Sequence, residues 1–229
     1  MNTSTKSIDP SRILVLTIAI GADYRRNLER MLQSKRDYCK KHGYEYRECH
    51  EEIWNRERPI AWSKVPVWKE IAGQADKYDY VWISDADVWI TNPDIRLEDH
   101  VIPLLPTNKD LLLTYDSCQH VNSGNMILRP SQWAVDFFEK VWNQTDCIYH
   151  IWWENKAICN IMNDSPEDNA HIECTMEAWR FNAYLRGFRG TRLWQPGDFL
   201  VHFAGVYDPK EMNTLIDRIE KGEIPRLSM

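Results

Sequence analysis

No stretch of this 229-residue chain carries the density of Lys and Arg needed to track a phosphate backbone, and the net charge is −6. A nucleic-acid surface is excluded on that ground. No segment is long and apolar enough to span a bilayer, and Met1 to Arg12 lack the apolar stretch of a signal peptide or anchor. The six Cys (39, 49, 118, 147, 159 and 174) form no C-x-x-C pair and have no His at zinc spacing. Free, mostly buried thiols are the expectation. Internal repeats and low-complexity linkers are also missing, so one domain is expected over 12–229, behind a flexible 1–11.

What is present is ordinary in bulk: 43% apolar and 27% charged residues, the balance of a soluble globular protein. Eleven Trp are the unusual figure. Trp lines sugar and nucleotide sites, but most copies in most proteins are simply core.

Along the chain, Arg12 to Ile20 is a continuous β-branched run ending at Gly21, which predicts a buried, parallel strand. A helix is predicted over 23–42, closed by Gly43, and a short strand over 44–49. A second helix (62–75) and a buried strand (80–84) follow. This β-α-β-α-β order implies a parallel sheet with helices on both faces. The second half is mixed: strands over 111–115, 124–128 and 199–203, and helices over 131–143, 153–162 and 209–220. Ser131 is the expected cap of the helix over 131–143, with Trp133, Phe137, Val141 and Trp142 turned to the core. The acidic stretch 163–173 reads as a surface loop. The fold class is α/β, Rossmann-like, with a mostly parallel central sheet.

In an open α/β sheet, ligands bind beyond the carboxyl ends of the strands. Asp85 and Asp87 stand where the strand over 80–84 runs out. Two carboxylates one residue apart on such a turn can face one hard cation, Mn²⁺ or Mg²⁺, which keeps positions open for phosphate oxygens. Departure of a nucleoside diphosphate is the chemistry that uses this arrangement. A lone D-x-D at a strand end is also common turn or cap chemistry. A third ligand is needed, and His202 is the best of the seven His, because it ends an apolar strand and precedes a small-residue turn at Gly205. A satisfied core histidine is the plainer reading of the same residue. Asn122, Ser123 and Gly124 place amide, hydroxyl and a side-chain-free position before a strand, where they could meet sugar hydroxyls or form a hairpin turn. Glu154 and Asn155 open a helix. Either they complement its N-terminus or they set an acidic group near a reacting sugar.

Five motifs, in order, together resemble one family. They are Lys35-Arg-Asp-Tyr-Cys-Lys-Lys-His-Gly-Tyr44, Trp62-Ser-Lys64, Asp79-Tyr-Val-Trp-Ile-Ser-Asp-Ala-Asp-Val-Trp-Ile90, Asn122-Ser-Gly124 with Ile127-Leu-Arg129 and Gln132-Trp133, and His202-Phe-Ala-Gly205. The family is the retaining glycosyltransferases that include yeast α-1,2-galactosyl- and α-1,6-mannosyltransferases and plant xyloglucan α-1,6-xylosyltransferases (glycosyltransferase family 34). The resemblance implies a GT-A fold and a nucleotide-sugar donor, a UDP-sugar ahead of a GDP-sugar. It also implies Mn²⁺ and transfer of a hexose or pentose to a glycan hydroxyl with retention. By position, Asp85, Asp87 and His202 would hold the metal. Thr17, Ala19, Gly21 and Tyr24 would lie along the nucleotide, and Ser84, Ala86 and Gly205 would complete the donor contacts. Lys64 would face donor phosphate or sugar, while Asn122, Ser123 and Gly124 would touch the transferred sugar. Glu154, Asn155 and Lys64 are the expected catalytic set, with Glu154-Asn155-Lys156 standing where the family has an acidic residue followed by Gln and Ser. A soluble, cytoplasmic enzyme of bacterial or viral type is expected, and a Golgi lumenal one only if an anchor had been removed.

Two other readings stay open on the residues alone. One is a non-catalytic carbohydrate- or nucleotide-sugar-binding protein, which the Trp content would suit. The other is a phosphohydrolase whose D-x-D supplies nucleophile and general acid, although that chemistry wants its strand early in the chain.

Overall fold

The computed structural model describes residues 8–116, 120–188 and 190–228. Eight strands are formed among them: β1 (Ile13–Ile18), β2 (Glu45–Cys49), β3 (Tyr80–Ser84), β4 (Val88–Ile90), β5 (Leu111–Tyr115), β6 (Val121–Leu128), β7 (Ile172–Thr175) and β8 (Leu200–His202). The helices are α1 (Ala22–Asn27), α2 (Glu29–His42), α3 (Lys64–Ala72), α4 (Leu97–His100), α5 (Gln132–Trp142), α6 (Trp153–Asp164), α7 (Pro166–Ala170) and α8 (Pro209–Glu220).

Six strands make one sheet in the order β2-β1-β3-β6-β5-β7. β1 runs parallel to β2 and β3, and β5 parallel to β7, while β6 is antiparallel to both of its neighbours. The unbroken apolar run of β1 follows from burial on both faces, since successive side chains alternate across the sheet. Leu14 and Leu16 join Val81, Ile83, Leu113 and Met126 in a layer with α3, α5 and α6. Ile13 and Val15 join Trp82, Leu112 and Ile127 on the other face, under Tyr38 of α2 and Leu97 of α4. Each such buried aliphatic side chain contributes about 1.5–3 kcal/mol relative to exposure. A third layer packs α8 through Met212, Leu215 and Ile216 onto Ala86, Val201 and Phe203.

Several expectations are corrected. The helix expected over 23–42 is two, broken at Leu28, where the backbone turns to φ −98°, ψ 10°. The stretch 163–173 is not a loop. α6 runs on to Asp164, Ser165 caps α7 through the Asp168 N–H, and Ile172 begins β7 beside β5. A five-residue helix is too short to show a periodicity, but Ser165-Pro166 is the cap-then-proline signal that starts one. Strand β6 begins at Val121, so Asn122, Ser123 and Gly124 lie within it rather than in a hairpin turn. On α5 the Ser131 cap is present, Phe137 and Val141 are buried in the core with Ala134 and Phe138, and Trp133 and Trp142 are half-buried and packed against it. Asp9 caps a short 3-10 turn, Pro10–Arg12, ahead of β1. Of the thiols, Cys39, Cys49 and Cys147 are buried and free, Cys159 and Cys174 half-buried and free, and Cys118 lies outside the described residues. Among the described residues no helix is long and apolar enough to cross a membrane.

Candidate active site

The ends of β1 and β3 open into a cleft of about 540 Å³. Its lining is apolar at Ile18, Ile20, Val206 and Met212 and polar at Tyr24, Lys64, Asp85 and Asp87, with the exposed Trp153, Tyr207 and Gly205 at the rim. Another surface hollow, of about 730 Å³, lies around Arg12, Tyr80 and Arg129, where β3 begins and β6 ends. It holds none of the expected site residues.

Asp85 and Asp87 leave β3 on a turn held from below. The Lys35 ammonium, fully buried on α2, donates to the carbonyls of Asp85 (2.7 Å) and Ala86 (3.3 Å). Burial pushes Lys35 down to about 8, against the pull of the Asp87 and Asp85 charges. The Asp85 N–H donates to Gly124 O at 2.7 Å, tying the turn to β6. β4 then pairs antiparallel with β8, setting Val88 opposite His202. The Phe203 N–H reaches Asp87 O at 3.1 Å. That pairing brings the third expected ligand in: one donor atom each from Asp85, Asp87 and His202 lie within 4.8 Å of one another. Nε2 of His202 is 3.4 Å from Asp87 Oδ1.

A second group sits behind Asp85. Nζ of Lys64, the first residue of α3, lies 2.8 Å from Glu154 Oε1 and 3.4 Å from Asp85 Oδ1. Burial lowers the tendency of Lys64 to stay charged, but Asp85 and Glu154 outweigh it and hold the ammonium above its usual range. The contrast with Lys35 is physical: Lys35 faces carbonyl dipoles, Lys64 faces carboxylates. Glu154 Oε1 also accepts from Ser123 Oγ (3.0 Å) and Asn155 Nδ2 (3.1 Å), while its Oε2 is buried with no partner. Asn155 Oδ1 accepts the Ser123 N–H at 2.7 Å.

The expected site residues therefore fall into three places. Tyr24, Lys64, Asp85, Ala86, Asp87 and Gly205 line the cleft. Asn122, Ser123, Gly124, Glu154, Asn155 and His202 are packed behind it. Gly124 is fitted to protein rather than to open space, since a Cβ there would lie 2.3 Å from His202 Cε1 and 3.0 Å from Asp85 Oδ2. Thr17, Ala19, Gly21 and Ser84 do not line the cleft. Thr17 and Ser84 are buried with unpartnered hydroxyls, Ala19 donates its N–H to Cys49 O, and Gly21 precedes α1 at φ +108°. Sequence reasoning passed over Lys35, although it sits on the buried stripe of α2 with Met31, Leu32, Tyr38 and Cys39. A Lys at that spacing was the available signal. It also passed over Asn182, which accepts at 2.7 Å from His202 Nδ1 and lies in an irregular stretch with no periodicity to mark it. Trp153 was missed as a rim residue. It has φ +42°, and is the one described non-glycine residue in the left-handed region.

Residues 9–108 match the model of the galactosyl transferase GMA12/MNN10 family, the family that the ordered motifs resemble. An uncharacterized α-1,2-galactosyltransferase of Schizosaccharomyces pombe is 24% identical over 216 residues, covering 77% of this chain and 56% of that protein. A probable xyloglucan 6-xylosyltransferase of Arabidopsis thaliana is 28% identical over 144 residues, covering 56% of this chain and 30% of its own length. The chain thus spans about half or less of these relatives. Among solved structures, a glycosyltransferase involved in glycosylation of the major capsid of PBCV-1 superposes with a TM-score of 0.69 at 14% identity, over 90% of this chain and 98% of that one. The galactosyltransferase LgtC, solved with donor and acceptor sugar analogs, gives 0.54 at 12% identity, over 89% and 95%. The fold is the GT-A fold expected from the sequence.

Proposed function

We propose that this chain is a metal-assisted, retaining glycosyltransferase that moves a hexose or pentose from a nucleoside-diphosphate sugar, a UDP-sugar ahead of a GDP-sugar, to a glycan hydroxyl. The observation that carries the reading is the meeting of Asp85, Asp87 and His202 at a cleft that the two carboxylates line together with Ile18, Ile20 and Met212, His202 standing behind them.

The donor set suits a divalent cation such as Mn²⁺ or Mg²⁺. Two carboxylates and one imidazole nitrogen are a mixed oxygen and nitrogen set, and two carboxylates beside Lys64 and Glu154 leave the cluster anionic. Asp85, Asp87 and His202 would hold the ion, which when bound neutralises charge developing on the departing diphosphate. The remaining work falls to the chain itself. Ile18, Ile20, Tyr24 and Met212 offer a dry face for the nucleoside end of the donor. Lys64, kept charged by its two carboxylate neighbours, adds positive charge where phosphate or sugar oxygens would lie.

Transfer breaks the bond between the anomeric carbon and the phosphate oxygen and forms one to the acceptor oxygen. The acceptor proton leaves with the nucleoside diphosphate. Front-face transfer suits this site better than attack by Glu154. That carboxylate is 1% exposed, does not line the cleft, and has one oxygen occupied by three donors. In this reading Glu154 braces Lys64 and stabilises positive charge, and Asn155 fixes Ser123.

The test is release of nucleotide from UDP-Gal, UDP-Glc, UDP-Xyl and GDP-Man with and without Mn²⁺. One donor should turn over, and Asp87→Ala should lose Mn²⁺-dependent hydrolysis and transfer together. Undiminished turnover by Asp87→Ala under chelation would end the metal assignment.

A further inference from the structure

His202 is expected to offer Nε2 to a cation, and something must keep the imidazole proton on the other nitrogen. The hydrogen bonds around Asn182 show how. Two donors in the network are unambiguous, because a main-chain N–H and an indole N–H can only donate. The Gly124 N–H donates to Asn122 at 2.9 Å, which makes the accepting atom Oδ1. Asn122 Oδ1 is therefore an acceptor towards Asn182 as well, so the Asn182 atom 3.0 Å away is its Nδ2, which also donates to Thr114 Oγ1 at 2.8 Å. From the other side, Trp82 Nε1 donates to Asn125 at 3.0 Å, fixing that atom as Oδ1. Asn125 then turns its Nδ2 to Asn182, 3.0 Å away, and the atom it meets is Oδ1. Both routes assign the same orientation to the Asn182 amide. Its oxygen faces His202 Nδ1 at 2.7 Å, so Nδ1 must carry the proton.

We infer that Asn182 is a positioning residue that holds His202 as the Nδ1–H tautomer, leaving the Nε2 lone pair aimed at the space it shares with Asp85 and Asp87. The inference rests on the metal reading above. Asn182 is fully buried and its amide is satisfied on all four counts. The amide is thus held rigidly and holds the ring in turn. A partner on the second nitrogen that fixes tautomer and ring direction is how His ligands are usually set, and its loss costs about 10- to 100-fold in metal affinity. Asn122 gains a role here too, because its oxygen is occupied by Asn182 and Gly124 within the protein.

Two measurements test this. Long-range proton–nitrogen correlation spectra of histidine-labelled wild-type protein, at mildly alkaline pH and assigned with His202→Gln, should show a protonated Nδ1 and a bare Nε2. An Nε2–H tautomer would overturn the proposal without any variant at position 182. Mn²⁺ binding followed by electron paramagnetic resonance should weaken about 10- to 100-fold in Asn182→Ala. Asn182→Asp keeps the acceptor for Nδ1–H while losing both donors, so it should retain most of the affinity. A purely structural role predicts the opposite order, since Asp disrupts the donor side as Ala does and adds a buried charge. Equal Mn²⁺ binding by wild type and Asn182→Ala overturns the proposal alone. Wild-type protein that shows the Nδ1–H tautomer but binds no Mn²⁺ overturns the metal reading and the role that rests on it.

Discussion

Gly124→Ala is the sharpest perturbation of the site, because the added atom has nowhere to go. Its Cβ would stand 2.3 Å from His202 Cε1 and 3.0 Å from both Asp85 Oδ2 and Asn122 Oδ1. Carbon–carbon contacts settle at about 3.5–4.0 Å, so the shortfall against the imidazole is more than about 1 Å. The glycine is not at positive φ, so the backbone tolerates alanine and the cost is one of space. The ring cannot swing away freely, as His202 is paired with Val88, its N–H is bound to Ala183 O at 2.8 Å, and Nδ1 is held by Asn182. Nor can β6 retreat without pulling Asp85, whose N–H is bound to Gly124 O. Overpacking of this kind costs about 1–3 kcal/mol. In a chain of this size that lowers the melting temperature by about 2–4 °C per kcal/mol. Metal geometry tolerates about 0.2 Å, so Mn²⁺ affinity should fall more than about tenfold, the scale of losing one supporting contact. Thermal melts and Mn²⁺ titration read the two effects separately. An alanine variant that binds Mn²⁺ within twofold of wild type would refute the placement of His202 and Asp85 around this position.

Lys64→Met should destabilise by about 3–5 kcal/mol, because it strands Glu154 as a buried charge, and Lys64→Met combined with Glu154→Gln should recover much of the loss in urea unfolding. If the single variant unfolds with the wild type, the Lys64–Glu154 pair contributes nothing to stability. Trp153→Gly should be at least as stable as wild type and about 1 kcal/mol more stable than Trp153→Ala, since left-handed backbone is strained for any side chain. Thermal denaturation giving the reverse order would contradict that strain. Asp168 is buried, and burial would raise its carboxyl, but bonds from Lys140, Ser165 and Trp133 hold it below the usual value. A depressed carboxyl adds stability that is full above its unfolded pKa of about 3.9 and is lost as pH falls through the lower folded value. Asp168→Asn should therefore cost about 1–3 kcal/mol near neutral pH and progressively less below about pH 4, and a loss that stays constant across that range would remove the charge argument.

How much of this was legible in the sequence depends on how local the signal is. β1 and β3 announce themselves because burial on both faces demands unbroken apolar runs. Asp85 and Asp87 follow from the strand they terminate, and His202 from the short strand it ends. α7 and β7 were hidden because five- and four-residue elements are shorter than one reading window, and acidic residues such as Asp168 look solvent-facing until a partner buries them. Thr17 and Ala19, expected along the nucleotide, turn out to be buried in or beside β1, because the register with β2 continues past the strand's end through Ala19. Asn182 left no trace. Its importance lies wholly in what surrounds it, residues from β3, β5, β6 and β8 that no spacing rule connects.

The β4–β8 pairing has a consequence beyond geometry. It makes neighbours of Asp87 and His202, so an ion gripped by both would close the whole loop from residue 87 to residue 202. Such an ion is a removable cross-link, which unlike a disulfide is released on unfolding and so acts by binding the folded chain. Closing a long loop forfeits little more entropy than closing a short one, growing only as the logarithm of its length. Divalent cation concentration then becomes a stability variable, worth about 1.4 kcal/mol for each tenfold rise above the dissociation constant. During synthesis the sheet from β1 to β6 emerges well before His202, and the clasp can fasten only when β8 arrives.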